Sequence, residues 1–287
     1  MHSSGISTGP PAGPVPSKFE VVIPMLHKTR TALAAVLALG ALTATACSGG
    51  SGTAETESGI PLVNDGALTV CSNVPFVPFE YVGEDGEYTG FDMDLSREIA
   101  AGMGLELEVQ NASFDGLQSG TVLAANQCDV IAAAMTITPE REKNLAFSDP
   151  YYDSLQSLLV SSDSEAKALE DMAGKKIGIQ QGTTGETYAR DNAPADTEVI
   201  SYQTDAELFQ ALQAGNIEGV LQDLPVNLGH TDDDAYTIAA TYATGESYGL
   251  AAKKDGSEEL IKEINTQLAE MRSNGKYQEI YDRYFTE

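Results

Sequence analysis

Three segments near the start of the globular part of the chain decide its fold class: ALTVC at residues 67–71, FDMDLSREIAAGM at 91–103 and LELEVQN at 105–111. The first and third are short and rich in apolar or alternating residues, which is typical of β-strands. The middle segment places apolar residues on one helical face at every fourth position, at Leu95, Ile99 and Met103. A strand, a helix and a second strand in this order predict a parallel sheet covered by helices.

The same alternation continues along the chain. The next segments read as helix, strand and helix: FDGLQSGTVLAA, DVIAAAM and a helix that begins at Thr138. After residue 175 the pattern begins again with KKIGIQ, TYARDN, EVISY, DAELFQALQAG and IEGVLQD, followed by the strand-like SYGLAAKKD. We therefore expect an α/β protein with a second unit of the same kind as the first.

Two amphipathic helices are predicted at the end of the chain, separated by Asn274 and Gly275. Their apolar stripes are Leu260, Ile264, Leu268 and Met271 in the first, and Tyr277, Ile280, Tyr281, Tyr284 and Phe285 in the second. Stripes at helical spacing are most often packing faces, and we interpret both in this way.

The first 64 residues are expected to lie outside the globular body. Residues 1–24 are rich in Ser, Gly and Pro and are interpreted as a non-native extension, with translation starting at Met25. Residues 25–46 combine a basic start with an apolar run too short for a confident membrane span, as in export signals. Cys47 then resembles the lipidated cysteine of bacterial lipoproteins, although Ala44 stands where leucine is usual. Residues 47–64 are predicted to be a flexible linker that tethers the body to a membrane.

Composition and charge exclude several classes of function. The chain has 287 residues, of which 42% are hydrophobic, so it can form an ample globular core. It carries 16 basic and 43 acidic side chains, a formal net charge of −27, which excludes nucleic-acid binding through a basic patch. His230 is the only histidine after the predicted signal. Multi-histidine metal sites and histidine-based catalysis therefore lose support, and no metal or cofactor is expected.

Cys71 and Cys128 each lie in an apolar, strand-like segment. If these segments are neighbouring parallel strands, Cys71 lies near the end of one and Cys128 at the start of the other. The separation would then be too long for a disulfide bond, so we predict two buried thiols.

Polar residues follow three of the predicted strands, at the edge where open parallel sheets bind ligands. The first group is Thr136 to Arg141, in the sequence TITPER, with Thr138 predicted to cap a helix. A cation in the first turn of a helix has the unfavourable sign, so Arg141 either pairs with a nearby acid or holds an anion together with the helix N-terminus.

The second and third groups are GIQQGTTGE, a glycine-bounded loop before a helix, and Asp223, at the end of the strand VLQD. Each of these two alone is consistent with an ordinary turn or helix cap. Together, the three groups offer a guanidinium, backbone amides and a carboxylate. This combination is complementary to a zwitterion.

Residues 67–285 closely resemble the family 3 extracellular solute-binding proteins, the polar amino-acid receptors of ABC importers. The resemblance is carried by VPFEYVGEDGEYTGFDMDLSREIA, SFDGLQSG, DVIAAAMTITPEREKNLAFSDPYY, GKKIGIQQGTTGETYA, ALQAGNIEGVLQD and NGKYQEIYDRYF. It implies a two-lobed, periplasmic-binding-protein-like α/β fold in which each lobe is a mostly parallel sheet flanked by helices. The lobes would comprise residues 65–152 with 248–287, and 153–247. They would be joined by two crossover strands, near residues 151–155 and 245–248, and would close around the ligand.

The resemblance also implies roles for individual residues. Arg141 would bind the ligand α-carboxylate, assisted by the backbone at Thr136 and Thr184, and Asp223 would accept from the α-ammonium. Phe76 and Phe114 would form aromatic walls, unless they only pack in the core. The complete predicted ligand-binding set is Asn73, Phe76, Phe114, Ala134, Met135, Thr136, Arg141, Gln180, Thr183, Thr184, Gln222 and Asp223.

The neutral side chains of Asn73, Gln180 and Gln222 favour glutamine or another neutral polar amino acid, and a basic amino acid or glutamate is the alternative. Glu80 or Asp115 lying close to the pocket would favour a basic ligand. The resemblance implies a monomeric, extracytoplasmic receptor, anchored through Cys47, that delivers its ligand to the permease of an ABC importer. Rival interpretations are an exported dehydratase-like enzyme and a ligand sensor. A dehydratase requires a positioned acid or base, and the expected pocket amides do not supply one.

Overall fold

The computed structural model describes residues 54–55, 59–232 and 234–286 of the chain. The predicted extension, the export signal and Cys47 lie outside these residues. Within the described part, no helix combines the length and the apolar character needed to cross a membrane.

Strands and helices alternate over most of the described chain. The strands are β1 Ala54–Glu55, β2 Pro61–Leu62, β3 Ala67–Ser72, β4 Tyr81–Val82, β5 Tyr88–Thr89, β6 Glu106–Asn111, β7 Val130–Ile131, β8 Leu145–Phe147, β9 Tyr152–Ser161, β10 Lys176–Gln180, β11 Glu198–Tyr202, β12 Gly219–Asp223, β13 Tyr236–Tyr248 and β14 Ala251–Lys253. The α-helices are α1 Phe91–Gly102, α2 Phe114–Gln118, α3 Thr121–Ala124, α4 Thr184–Asn192, α5 Asp205–Gln213, α6 Leu224–Leu228, α7 Glu258–Asn274 and α8 Lys276–Phe285. Short 3₁₀ turns lie at Arg141–Lys143 and Leu169–Met172.

The first lobe is built on the sheet β6-β3-β7-β14-β8. Its inner strand β3 is buried along its whole length and pairs in parallel with β6 and β7, whereas β14 is antiparallel to both β7 and β8. Helices α1, α7 and α8 pack on this sheet and share one apolar core with it. The predicted stripes of α7 and α8 lie in or against that core, which confirms their interpretation as packing faces.

The second lobe repeats the arrangement with the sheet β11-β10-β12-β9-β13. Here β10 pairs in parallel with β11 and β12, and β9 runs antiparallel to β12 and β13. The predicted α/β class is confirmed, with a mixed sheet in each lobe.

Strands β9 and β13 form a long antiparallel ribbon that connects the two sheets. Tyr152 pairs with Tyr248 at the end of the ribbon that reaches the first lobe, where Tyr248 also forms a bridge with Thr136. The segments expected to cross between the lobes, residues 151–155 and 245–248, therefore lie side by side.

The prediction of two free thiols is wrong, because Cys71 and Cys128 form a disulfide with Cα atoms 5.7 Å apart. Cys128 lies in the connection that leads from α3 into β7, not within the strand. Both cysteines belong to the same buried cluster, with Leu117 and Leu123 from the helices that cover this face. The sequence argument failed because it placed Cys128 in the plane of the sheet, whereas the chain approaches β7 over the face to which Cys71 points.

The prediction of a helix that begins at Thr138 is also wrong, since only the 3₁₀ turn Arg141–Lys143 forms there. Thr138 does act as a cap, because its Oγ1 accepts from the backbone N–H of Arg141 at 3.2 Å. The next residues, Leu145–Phe147, pair with β14 as an edge strand and end the helical path. The expected conflict between Arg141 and a helix dipole therefore does not arise.

The packed body begins earlier than the predicted linker boundary at residue 64. Ile60 and Leu62 are buried in the core of the first lobe. The backbone N–H of Val63 donates to Asp129 at 2.7 Å. Residues 60–64 are thus part of the lobe, and their apolar side chains are the sequence signal that the linker assignment overlooked.

Candidate functional site

A narrow cavity lies between the two lobes, at the ends of strands from both sheets. Its lining residues come from the polypeptide just after β3 and β7 in the first lobe, and from the ends of β10 and β12 in the second. They are Asn73, Phe76, Glu80, Phe114, Ala133, Ala134, Thr136, Arg141, Gln180, Thr183, Thr184 and Asp223. The carboxyl ends of parallel strands are the usual place for a ligand in open α/β sheets, which agrees with the location predicted from the sequence.

Arg141 is buried, with 5% of its surface exposed, and its guanidinium is held by both lobes. One nitrogen donates to the carbonyl of Thr136 at 2.8 Å, and another donates across the cleft to the carbonyl of Gly182 at 3.1 Å. The guanidinium carbon lies 5.3 Å from the centre of the Phe114 ring, within range of a cation–π contact. Burial lowers the pKa of Arg141 to about 10, so the group remains charged at neutral pH.

Two further pairs of side chains meet across the cleft. Gln180 Nε2 donates to Asn73 Oδ1 at 2.8 Å, and Asn73 Nδ2 donates to the carbonyl of Ala112. The hydroxyls of Thr136 and Thr184 lie 3.4 Å apart. With the Arg141 bond to Gly182, these contacts join the first lobe to the second around the cavity.

Asp223 is the carboxylate at the second-lobe side of the cavity. Tyr248 donates its hydroxyl to one oxygen at 2.6 Å, and Gln156 donates its Nε2 to the other. Gln156 Nε2 also contacts Glu246 at 2.9 Å. Burial first, and then the neighbouring Glu246, raise the pKa of Asp223 to about 7, while the Tyr248 and Gln156 hydrogen bonds and Arg141 act in the opposite direction.

Phe76 and Phe114 line the cavity as the resemblance implied, and both also belong to apolar clusters of the first lobe. Phe76 is fixed by backbone hydrogen bonds in both directions with Glu80, at 2.7 and 3.1 Å. The two interpretations considered for these rings, wall and core, therefore describe opposite faces of the same side chains.

Glu80 is the cavity residue whose surroundings differ most from those of the others. It is 1% exposed, and neither of its carboxyl oxygens has a hydrogen-bond partner within the described residues. The buried carboxyl of Asp92 is its nearest acidic influence. Burial first, and then Asp92, raise the pKa of Glu80 well above its usual range.

Asp92, unlike Glu80, is held in place by two donors. One of its oxygens accepts from the backbone N–H of Ala134 at 2.8 Å and from the hydroxyl of Tyr151 at 2.7 Å. Burial raises the pKa of Asp92 to about 7, although both hydrogen bonds lower it. Its other oxygen has no partner in the described part of the chain.

The backbone places these acids by two unusual conformations. Gly90, just before α1, has φ 122°, and a Cβ there would lie 2.2 Å from the carbonyl of Phe79. Only glycine therefore lets α1 begin close enough to bring Asp92 beside Glu80. Ala134 lines the cavity with φ 44°, a conformation that non-glycine residues adopt rarely and mostly at functional sites.

Of the twelve predicted ligand-binding residues, ten line the cavity, and Met135 and Gln222 do not. Met135 is fully buried in the cluster around the disulfide. Gln222 donates to Asp205 and Asn227 at 2.8 and 3.0 Å, on the opposite face of the sheet from Asp223. Since successive side chains of a strand alternate between faces, Asp223 and Gln222 could not both face the ligand.

Thr183 and Asp115 also have defined positions. Thr183 lines the cavity and caps α4, accepting from the backbone N–H of Glu186 at 3.2 Å. Asp115 is exposed and does not line the cavity, whereas Glu80, the other acid considered from the sequence, does. Sequence reasoning missed Asp92 altogether. Within the described residues, no group of three or more His, Cys, Asp or Glu side chains is arranged to hold a metal ion.

Comparison with known proteins gives consistent results. Residues 68–287 match the family of bacterial extracellular solute-binding proteins, family 3. The ABC transporter glutamine-binding protein GlnH of Bacillus subtilis is 36% identical over 205 residues, which cover 70% of this chain and 74% of the relative.

Two similar solved structures are of an ancestral arginine-binding protein, one bound to glutamine and one bound to arginine. Both are 36% identical to this chain with a TM-score of 0.73, and they cover 78% and 77% of it and 100% and 98% of their own chains. These structures share the two-lobed fold described above.

Proposed function

Because this chain belongs to the bacterial extracellular solute-binding proteins of family 3, we propose that it binds a polar L-amino acid between its lobes and delivers it to an ABC importer. Relatives across the family are amino-acid-binding proteins of such importers. The ten predicted residues that line the cavity supply groups for each part of an amino acid.

The main support for the proposal is that Arg141 is a buried cation without a carboxylate partner in the described part of the chain. This cation is buried and borders the cavity, yet within the described residues no carboxylate lies within ion-pair distance of it. A buried guanidinium without an anion is costly, and it is suited to a bidentate interaction with a ligand carboxylate. The ligand α-carboxylate is the anion that fits.

Asp223 lies on the second-lobe side of the cavity and is the acceptor for the α-ammonium. A cationic ligand group beside it would favour its ionised form and oppose the effects of burial and of Glu246. Arg141 and Asp223 together then fix the main-chain end of the ligand, whatever its side chain.

Glutamine or another neutral polar amino acid is our first proposed ligand, with a basic amino acid and then glutamate behind it. Asn73 and Gln180 support a neutral ligand, since their amides face the cavity. Gln222 no longer contributes to this argument, because it points away. Glutamate is disfavoured by the cavity acids Glu80 and Asp223, which would repel a second carboxylate.

Lipidation of Cys47 and tethering of the receptor to the outer face of the cell membrane are part of the same proposal. Support comes from the order of apolar run, cysteine and Gly/Ser-rich linker in residues 31–52. Metabolic labelling with a fatty-acid analogue, compared with Cys47→Ala, tests this part separately. Equal labelling of both forms would reject it.

A thermal-shift screen against the twenty amino acids tests the main proposal. The body from residue 54 onward is unfolded and dialysed to remove carried-over ligand, then refolded. A ligand that binds only the native state raises the stability by RT ln(1 + [L]/Kd), so one or a few polar amino acids should raise the melting temperature. No shift with any of them would reject the proposal in favour of a modified amino acid, an opine-like compound or the enzyme interpretation.

A further inference from the structure

The cavity contains more acid than a zwitterionic amino acid can neutralise. Arg141 and Asp223 are matched by the two charges of the ligand main chain, which leaves Glu80 and the adjacent Asp92. Asp92 is fixed by Ala134 and Tyr151, but Glu80 lines the cavity with both oxygens unpartnered within the described residues. A buried acid in this situation either keeps its proton or acquires a cationic partner.

The position of Glu80 identifies which part of the ligand it meets. Its backbone is bonded to Phe76, the aromatic wall of the first lobe, so its carboxyl lies beside the wall expected around the ligand side chain. Arg141 and Asp223 are assigned to the main chain of the ligand. The carboxyl of Glu80 is therefore available to the end of the side chain.

This inference rests on the proposed function. We propose that the protonation state of the Glu80 carboxyl determines which ligand side chain the site prefers. As a carboxylate it binds a cationic side chain such as that of arginine. As a carboxylic acid it donates its proton in a hydrogen bond to the carbonyl oxygen of a neutral amide such as glutamine. Binding of a cationic amino acid to the protonated form therefore releases one proton from Glu80 to the solvent, whereas binding of glutamine releases none from Glu80. Any proton released from Asp223 by the ligand ammonium is the same for both ligands.

Several titratable groups surround this carboxyl, and the experiment has to separate their effects. Asp92 from α1 and Tyr151 before β9 are its electrostatic neighbours, and Arg141 and Asp223 line the same cavity. Arg141 and Asp223 act on the main-chain groups, which arginine and glutamine share. The ratio of the two affinities, followed against pH, therefore isolates the side-chain end.

The test measures dissociation constants for arginine and glutamine by titration calorimetry at about pH 5 and about pH 8, a range over which both main chains and the guanidinium keep their charge. We expect the preference for arginine over glutamine to rise at least ~10-fold between these pH values, equivalent to about 1.4 kcal/mol. Calorimetry at about pH 5 in two buffers of different ionisation enthalpy should show more proton release with arginine than with glutamine, because any proton released from Asp223 is common to both ligands.

The variant Glu80→Gln should abolish the pH dependence of the ratio, because its side-chain amide keeps the same charge at both pH values. Asp115→Asn, which removes an exposed acid outside the cavity, is the matched control and should behave as wild type. A ratio that does not change with pH in the wild-type protein, or that changes equally in Glu80→Gln, would overturn the inference while leaving the proposed function intact. If neither amino acid bound the wild-type protein at either pH, both the inference and the proposal that these two amino acids are ligands would be rejected. Binding of another amino acid in the thermal screen would still support the broader proposed function.

Discussion

The charged groups at the two ends of the cavity differ in the hydrogen-bond partners that the protein provides for them. At the end that we propose binds the main chain of the ligand, Arg141 and Asp223 each have two polar partners from the protein that hold them in place. At the end proposed for the ligand side chain, Glu80 is equally buried but has no hydrogen-bond partner within the described residues.

This difference shows how one scaffold can serve several amino acids. The carboxylate and ammonium are common to all of them, so the groups that meet these parts can be fixed in advance by the fold, which lowers the cost of binding. The side chain varies, and an unpartnered acid leaves the choice open to the ligand. The solved relatives fit this view, since the structures of ancestral arginine-binding proteins include one bound to glutamine and one bound to arginine.

Removing the cation from the main-chain end should have the largest effect. In Arg141→Ala, the ligand carboxylate would remain buried without a partner, and we expect a loss of about 2 to 4 kcal/mol in binding for every amino acid that the protein accepts. Calorimetric titration of glutamine and arginine measures this loss. Lys143→Ala is the matched control, because Lys143 lies in the same 3₁₀ turn and carries the same charge but is exposed.

A loss confined to one of the two amino acids would contradict this view, because Arg141 would then belong to the side-chain end. Arg141→Lys should fall between the alanine variant and wild type, since an ammonium keeps the charge but cannot bind a carboxylate through two parallel hydrogen bonds.

The acid of the main-chain end should come next in size. Asp223→Asn removes the charge that faces the α-ammonium, and we expect a loss of about 1.5 to 3 kcal/mol in the free energy of binding. Tyr248→Phe leaves the carboxylate in place and removes one of its two donors. That variant should lose about 0.5 to 1.5 kcal/mol. Titration of both variants with the same amino acid measures the order, and a larger loss in Tyr248→Phe would contradict it.

The stability of the ligand-free protein should also depend on pH, through the buried acids in and around the cavity. The pKa values of Asp92 and Asp223 are raised to about 7, and that of Glu80 is raised too, so the folded state holds protons that the unfolded state releases. The free energy of unfolding should therefore decrease as the pH rises from about 4 to about 7.

Glu80 should contribute to this decrease, and the contribution is measured as the difference in slope between wild type and Glu80→Gln in urea unfolding at several pH values. Glu84→Gln, which removes an exposed acid four residues away, should retain the wild-type slope. If both variants had the same slope, the titration would lie elsewhere in the protein.

A small effect is also expected at the amide pair across the cleft. Asn73→Ala removes the acceptor of the Gln180 hydrogen bond, and such a bond contributes about 0.5 to 1.5 kcal/mol. Because we propose that Asn73 and Gln180 favour a neutral side chain, the loss should be larger for glutamine than for arginine in calorimetric titrations. An equal loss for both would mean that Asn73 joins the lobes without meeting the ligand side chain.

Much of the fold follows from local patterns in the sequence. The apolar spacing of α1, α7 and α8 predicts helices, and the short apolar runs at β3 and β10 predict strands. The failures occurred where the tertiary structure decides. Cys128 was placed in a strand because its segment is apolar, although the chain there crosses over the sheet. The helix after Thr138 did not form, because the following residues pair with β14.

The residues of the candidate site could also be predicted from the sequence only in part. Arg141 and Asp223 could be predicted, since charged groups next to strand ends are visible in the sequence. The distinction between Asp223 and Gln222 could not be made from the sequence alone, because it depends on which face of β12 looks into the cavity. The lack of a hydrogen-bond partner for Glu80 within the described residues depends on all the residues that surround its carboxyl, so it could not be predicted from the sequence. Gly90 is the sequence feature that lets α1 begin close to Phe79 and so brings Asp92 near Glu80.

The disulfide makes the stability of the first lobe depend on whether the two cysteines are reduced or oxidised. Cys71 and Cys128 close a loop with a sequence separation of 57 residues, worth about 4 kcal/mol in the chain-entropy estimate. A newly made chain kept in a reducing compartment lacks this bond, so its first lobe is easier to unfold. Oxidation of the two thiols then adds the missing constraint, so the same lobe becomes harder to unfold once the bond has formed.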